Sequence, residues 1–278
     1  MYFRPKTLAE ATQRLAAESC LILSGGTDFY PALGDRPVQS PVLDLSAVSE
    51  IRGISIEPDH ICIGGLTTWT DLISTPLPRC FDCLKAAARE IGGVQIQNRG
   101  TVAGNLCNAS PAADGVPPLL ALNAEVELVS TGGIRRVALS DFIVGNRKTL
   151  RRPDEVLSCV RVPRGAEDAA SYFLKLGARK YLVISIAMVA VVLKADASAK
   201  VCDARVAVGS CSVRAQRLSG LEGDLLGLPA RRGLGAIASA KHIRQLSPIS
   251  DVRATADYRY DAALTLISRA LDDCAGSC

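Results

Sequence analysis

Histidine is nearly absent from this chain of 278 residues: His60 and His242 are the only two, and they lie far apart. A His-rich metal centre has no ligand set here, and no metal is expected on the chain. No stretch gathers Lys and Arg into a long basic run, and the formal net charge is only +4. Nucleic-acid binding therefore lacks its electrostatic footprint. The longest apolar stretch, Tyr181 to Leu193, falls short of the roughly 18 residues needed to cross a bilayer. Because Val and Ile dominate it, the stretch reads as a buried strand. The start, Met1-Tyr2-Phe3-Arg4-Pro5-Lys6, lacks the apolar core of a signal peptide, so a cytoplasmic protein without a transmembrane segment is expected. There are no repeats and no low-complexity tract.

Several motifs are missing as well. Of the ten cysteines only Cys80 and Cys83 form a C-x-x-C pair, and no second pair completes a four-ligand site. A plant-type iron–sulfur spacing is absent too. The cysteines are expected to be reduced, partly buried thiols. Neither G-x-x-x-x-G-K-[ST] nor G-x-G-x-x-G occurs, which removes support for a P-loop or a Rossmann reading.

What is present is an ordinary globular balance, with 48% hydrophobic and 22% charged residues. The length suggests two compact domains. Helix and strand signals alternate in an α+β manner. Thr7-Leu8-Ala9-Glu10 has the capping-box spacing, and Leu8, Ala11 and Leu15 follow at helical intervals. Cys20 to Leu23 and Val42 to Leu45 read as short strands. Ile51 to Ile56 and His60 to Gly64 read as a hairpin across Glu57-Pro58-Asp59. A short helix is expected from Thr67, and another from Phe81 to Ile91 closed by Gly92. From Gly92 to Pro118 there is little periodicity. Ala124 to Ser130 and Ile134 to Val137 form a second hairpin, and a boundary falls near Pro163-Arg164-Gly165. Strands are expected at Ser171 to Leu176, Tyr181 to Lys194 and Val201 to Val208, followed by two helical segments ending near Leu271.

Two glycine-rich segments suit a ligand. In Leu21-Ile22-Leu23-Ser24-Gly25-Gly26-Thr27-Asp28 a strand runs into a tight turn. Successive N–H groups in such a turn can form a nest for phosphate oxygens, and glycine allows close approach. The same pattern also suits a plain strand-to-helix turn. The second segment, Gly100-Thr101-Val102-Ala103-Gly104-Asn105-Leu106-Cys107-Asn108-Ala109-Ser110-Pro111-Ala112-Ala113-Asp114, combines glycines, hydroxyls and amides and ends in a carboxylate. It reads as a long ligand loop. Together the two segments fit a dinucleotide diphosphate in a non-Rossmann fold.

At these residues the chain resembles the FAD-binding medium subunits of the xanthine dehydrogenase and carbon monoxide dehydrogenase family, the molybdenum hydroxylases. The likeness runs from Ser24-Gly25-Gly26-Thr27-Asp28 through Asp44-Leu45, Ile63-Gly64-Gly65-Leu66-Thr67-Thr68, Gln97-Asn98-Arg99 and Thr101-Val102-Ala103-Gly104-Asn105 to Asn108-Ala109-Ser110-Pro111-Ala112-Ala113-Asp114. It continues in Arg147-Lys148-Thr149-Leu150, Val206-Ala207-Val208-Gly209 and Asp251-Val252-Arg253-Ala254.

The resemblance implies an α+β architecture of the PCMH, vanillyl-alcohol-oxidase-like kind. A two-part FAD-binding domain would span 1–165, with subdomains of about 1–57 and 58–165. A smaller α+β domain like the CO-dehydrogenase flavoprotein C-terminal domain would follow at 166–278. It further implies one non-covalent FAD. Ile22, Leu23, Ser24, Gly25, Gly26, Thr27 and Asp28 would wrap its diphosphate and ribityl, with Thr101, Gly104 and Asn105 on the other side. Asp114, with Ser110 beside it, would accept from a ribose or ribityl hydroxyl, and Gly92 joins the cofactor-binding set. Leu157 and Lys175 match positions near the isoalloxazine ring, although Leu157 reads equally as a core leucine and Lys175 as a solvated strand lysine. No side chain need act as a catalytic acid or base.

The molybdenum cofactor and [2Fe–2S] clusters would sit on a large and a small partner subunit, in a dimer of heterotrimers, with NAD+ or another acceptor taking the electrons. Where some relatives have Asp-Tyr or Asp-Ile beside the ring, this chain has Leu182-Val183, which leaves the acceptor open. The cysteine-rich insertion of hydroxybenzoyl-CoA reductase relatives is missing, which speaks against a [4Fe–4S] cluster. The alternatives are a self-contained flavin reductase or covalent-flavin oxidase with a PCMH-type fold, and a flavin-free structural subunit. A covalent tether would need a His or Cys beside the loops, where only Cys107 lies.

Overall fold

The computed structural model describes residues 1–278 as an α+β protein. Its contacts define two compact units that interleave in sequence. Unit one contains 1–75, 93–109 and 124–163; unit two contains 76–92, 110–123 and 164–278.

Unit one opens with a three-stranded parallel sheet in which Val42–Asp44 lies between Tyr2–Phe3 and Leu21–Leu23. Helix Leu8–Ala17 starts as the sequence predicts, with Thr7 Oγ1 accepting from Glu10 N at 3.2 Å. The Glu10 carboxylate, however, takes the Lys6 N–H at 2.8 Å, one residue earlier than in a closed capping box. Ala11 and Leu15 of this helix pack with Leu43, Leu45, Val48 and Val156 into one core cluster. A five-stranded antiparallel sheet follows, in the order Ile54–Ile56, His60–Gly64, Val156–Pro163, Glu125–Ser130, Gly133–Ala138. Alternation puts Ile61, Ile63, Val126, Leu128, Val160 and Val162 on its buried face. Cys62, Glu127 and Arg161 lie on the other. A register shift between Leu157 and Cys159 breaks that alternation once.

Unit two is built on an antiparallel meander of Ala170–Leu176, Ala187–Ala195, Val201–Gly209 and Gln216–Arg217. Every residue from Ala187 to Leu193 is buried, as expected of a strand covered on both faces. Ala187, Val189, Val191 and Leu193 share a core cluster with Ala263, Ile267, Ala270 and Leu271 of the helix Ala256–Ala275. On the opposite side a Cβ at Gly209 would lie 2.5 Å from Met188 and 2.9 Å from Pro117, so helix Val116–Ala121 closes that face.

Three expectations are corrected. The apolar run from Tyr181 is not one strand: the strand begins at Ala187, and Tyr181, Leu182 and Ile184 are exposed. Leu182 has φ 51, and its carbonyl accepts from the Arg179 guanidinium, which folds the segment into a turn. The aperiodic stretch from Gly92 to Pro118 holds short helices at Val94–Gln97, Val102–Asn108 and Val116–Ala121; each is too brief for a helical period to show. The C-terminal helix runs on to Ala275. No helix is long and apolar enough to cross a membrane.

Arg259 is the one charged side chain driven into the long helix's buried face, at 3% exposure. It donates to Ile186 O at 2.6 Å, to Ser210 O at 3.2 Å and to Asp251 Oδ1 at 2.9 Å. Removing a buried cation from such partners costs about 3 kcal/mol, because carbonyls and a carboxylate are left unpaired. Arg259→Leu should therefore lower urea-denaturation stability by about that amount; a loss under ~0.5 kcal/mol would show that these contacts do not hold the unit together.

Candidate functional site

In unit one the Leu21–Leu23 strand ends and the chain turns through Ser24, Gly25, Gly26 and Thr27 before helix Phe29–Leu33. Both glycines are required. A Cβ on Gly25 would lie 1.9 Å from the Arg99 carbonyl oxygen. Gly26 has φ 78, and a Cβ there would lie 2.8 Å from the Tyr30 ring. The turn thus rests backbone to backbone against the second sequence-predicted segment. Ser24 Oγ and Thr101 Oγ1 are 2.8 Å apart across that contact, and Thr27 Oγ1 lies 3.5 Å from where a Gly100 Cβ would be.

Thr101 caps the helix Val102–Asn108, its Oγ1 accepting from Gly104 N at 3.1 Å. The two earlier amides are also taken: Val102 N donates to Thr67 O at 3.0 Å and Ala103 N to Gly65 O at 3.1 Å. The helix start therefore offers no spare N–H. The turn does, because the amides of Gly25, Gly26, Thr27 and Asp28 donate to no protein acceptor. Asn105 Oδ1 is buried without a partner. The four idle amides and the two facing hydroxyls are donors that fit phosphate oxygens, whereas Asn105 Oδ1, an acceptor, fits a ligand hydroxyl. Ile22 and Leu23 lead into the turn, half-buried and buried respectively. Leu157 is 4% exposed, at the register shift, with its carbonyl 2.3 Å from where a Gly65 Cβ would sit.

The remaining sequence-predicted residues belong to unit two. Asp114 and Lys175 are joined by a 2.6 Å ion pair whose side chains are 8% and 5% exposed, so the reading of Lys175 as a solvated strand lysine is overturned. Lys175 Nζ also donates to Glu90 O at 3.2 Å, and Ser185 Oγ donates to Asp114 Oδ1. Both carboxylate oxygens are therefore engaged. Ser110 Oγ accepts from Ala112 N at 3.2 Å in a local turn, and Gly92, at φ 57, turns the chain after helix Asp82–Glu90. Ser185 was not singled out in the sequence, yet a lone serine inside an otherwise apolar run was the available signal. Leu182, Val183, Ile184 and Ile186 line a shallow cavity of about 430 Å³ together with Arg179 and Arg253.

A glycine nest braced against a hydroxyl-capped helix is of the kind that suits a nucleotide diphosphate. Comparison with known proteins specifies which. Residues 1–165 match the model of the FAD binding domain in molybdopterin dehydrogenase, and residues 172–274 match the CO dehydrogenase flavoprotein C-terminal domain. The nicotinate dehydrogenase FAD-subunit of Eubacterium barkeri is 36% identical over 76% of this chain and 73% of its own length. The carbon monoxide dehydrogenase medium chain of Hydrogenophaga pseudoflava is 30% identical over 98% of this chain and 95% of its own. Among solved structures, reconstituted CO dehydrogenase from Oligotropha carboxidovorans superposes with a TM-score of 0.91 at 27% identity, covering 100% of this chain and 98% of that one. The chain belongs to the FAD-binding medium-subunit family of the molybdenum hydroxylases, and FAD is its cofactor.

Burial raises the Asp114 carboxyl above its ordinary value, with Lys175 and Ser185 opposing. A folded-state pKa above the unfolded one gives stability that is full below the unfolded value and lost as pH rises through the folded one. Urea stability should therefore fall with pH from about 4 upward, and Asp114→Asn should flatten that slope. An unchanged slope in the variant would assign it to another group.

Proposed function

We propose that this chain takes electrons from [2Fe–2S] clusters on a small partner subunit and delivers them to NAD+ or another acceptor. Their source would be substrate hydroxylation at a molybdenum cofactor on a large partner subunit, the three chains pairing as a dimer of heterotrimers in the cytoplasm. The observation that carries this reading is the row of idle amides from Gly25 to Asp28, next in sequence to the Ser24 hydroxyl that meets Thr101. Bound FAD supplies the exchange between one-electron and two-electron steps.

Everything else falls to the chain. The Gly25–Asp28 amides would hold phosphate oxygens, Ser24 and Thr101 would donate alongside them, and Asn105 Oδ1 would accept from a ligand hydroxyl. Ile22 and Leu23 would back the turn, with Gly104 leaving room beside the Thr101 hydroxyl. Leu157 would offer an apolar contact, and Asp114, Lys175, Ser110 and Gly92 stand as the cofactor-binding candidates of unit two, with Lys175 and Ser185 fixing the Asp114 carboxylate. We take 1–165 and 166–278 as the functional domains. A covalent oxidase is disfavoured because burial pushes the Cys107 thiol up to about 11, away from a reactive thiolate. The apolar Leu182-Val183 turn, with Arg179 and Arg253, suits an acceptor that is flat and anionic, as NAD+ phosphates and ring are.

The test begins with the visible spectrum of the purified chain and chromatography of acid-released flavin. FAD near one per chain is expected. Thr101→Val should weaken FAD about tenfold or more, since a hydrogen bond to a charged group is worth roughly 1.5–3 kcal/mol, and Thr101→Ser should restore it. Unchanged affinity in Thr101→Val would remove Thr101 from the site. Anaerobic NADH should bleach the flavin band; its failure to do so while dithionite succeeds would rule out NAD+ as acceptor.

A further inference from the structure

All ten cysteines are free thiols, and two of them meet. Cys62 and Cys159 lie on neighbouring antiparallel strands of the five-stranded sheet in unit one. The register pairs Cys62 with Arg161 and Gly64 with Cys159, which sets the two thiols on one face, a diagonal step apart. Gly64 presents no side chain opposite Cys159, so nothing on that strand stands directly across from the thiol. Cys159 Sγ is 3.9 Å from Glu127 Oε1. Arg161 flanks the pair, 4.0 Å from Glu127 and 3.4 Å from Asp59. Cys159 is 7% exposed and Cys62 half-buried, so a small reagent reaches Cys62 first.

The pair is chemically asymmetric. The neighbouring Cys159 thiol holds the Cys62 thiol below its ordinary value, with Arg161 helping and burial and Glu127 opposing. The Cys62 thiol, together with burial, pushes Cys159 up. Elsewhere burial raises Cys80 and Cys83 to about 12 and Cys107 and Cys211 to about 11. An accessible thiol of lowered pKa beside a resolving thiol is the arrangement that oxidants select. Diagonal neighbours in an antiparallel pair lie roughly 7–8 Å apart, and a disulfide needs Cα atoms within about 7 Å. Closing the bridge therefore takes a small backbone movement; Cys159 adjoins the register shift at Ser158, which lies in the pairing with the other neighbouring strand.

We propose that Cys62 and Cys159 form a peroxide-oxidisable dithiol, with Cys62 the attacking thiol and Cys159 the resolving one. The Cys62 thiolate attacks hydrogen peroxide; the O–O bond breaks, an S–O bond forms, and the departing hydroxide leaves as water. Cys159 sulfur then attacks the Cys62 sulfenic acid, the S–S bond forms, the S–O bond breaks and a second water departs. Two thiols lose two electrons and two protons, and one peroxide is reduced to two waters. This site stands apart from the flavin reading and does not depend on it.

The test treats the reduced full chain with stoichiometric hydrogen peroxide, alkylates it with N-ethylmaleimide in denaturant and digests it with trypsin. Cleavage places Cys62 in residues 53–79 and Cys159 in residues 152–161, each with no other cysteine. A linked peptide between them, released by dithiothreitol, is expected. Cys159→Ser should instead leave a dimedone adduct on Cys62, and Cys62→Ser should slow oxidation of Cys159 by roughly tenfold or more. Circular dichroism verifies that both serine variants fold. Recovery of both residues as N-ethylmaleimide adducts at a dose that oxidises the exposed Cys202 would overturn the proposal. So would undiminished oxidation of Cys159 in Cys62→Ser, which would reverse the roles.

Discussion

The backbone of Gly25 and the carbonyl of Arg99 approach so closely that a single carbon atom between them would sit 1.9 Å from oxygen. The candidate site of unit one depends on that approach. It accompanies Ser24 standing against Thr101 at hydroxyl-to-hydroxyl distance, and the turn leaves its own amides unspent. An unsatisfied buried donor costs about 1–3 kcal/mol, but this turn is half-exposed, so water can serve it until a ligand arrives. Asn105 Oδ1 is in a harder position, being buried and unpartnered. The turn amides call for an acceptor and Asn105 Oδ1 for a donor, so the two address different groups of a ligand.

The helix behind Thr101 works differently from the phosphate-binding helices of P-loop and Rossmann proteins, where first-turn amides face the anion. Here those amides go to Thr67 O, Gly65 O and Thr101 Oγ1. The helix start is stitched into its own unit and contributes a hydroxyl and a carboxamide. The donors come from the glycine turn instead. The missing nucleotide motifs and the two glycine segments are therefore one fact: the idle amides lie in a turn braced on a helix rather than in the helix start, and the spacing rules for helix-amide sites do not apply.

Legibility in the sequence followed the range of the interactions involved. Both hairpins, the Thr7 cap and the buried strand after Ile186 are local matters of alternation and capping, and they could be read directly. The glycine turn was readable because Gly25 and Gly26 leave a mark in composition. The pairing of Asp114 with Lys175 and Ser185 was not readable, because it joins residues 61 and 71 positions apart. Tyr181 to Leu193 misled for a physical reason. An apolar run states a preference for burial, but Arg179 caps the Leu182 carbonyl and keeps the first part in an exposed turn. Short helices such as Val102–Asn108 escape any periodic test, since seven residues make scarcely two turns.

That exposed turn is held at its far end by polar contacts rather than by its apolar side chains. Ser185 donates to the buried Asp114, and the next residue, Ile186, accepts from the buried Arg259. Gly177, where a Cβ would meet Val183 at 2.4 Å, lets the near end fold back. The side chains between, Tyr181, Leu182 and Ile184, carry little of unit two's packing, because they are more than half exposed. Substitutions there can change what the turn presents while its anchors stay fixed. The exposed side chains of this turn can thus differ between relatives while the frame that holds it stays the same.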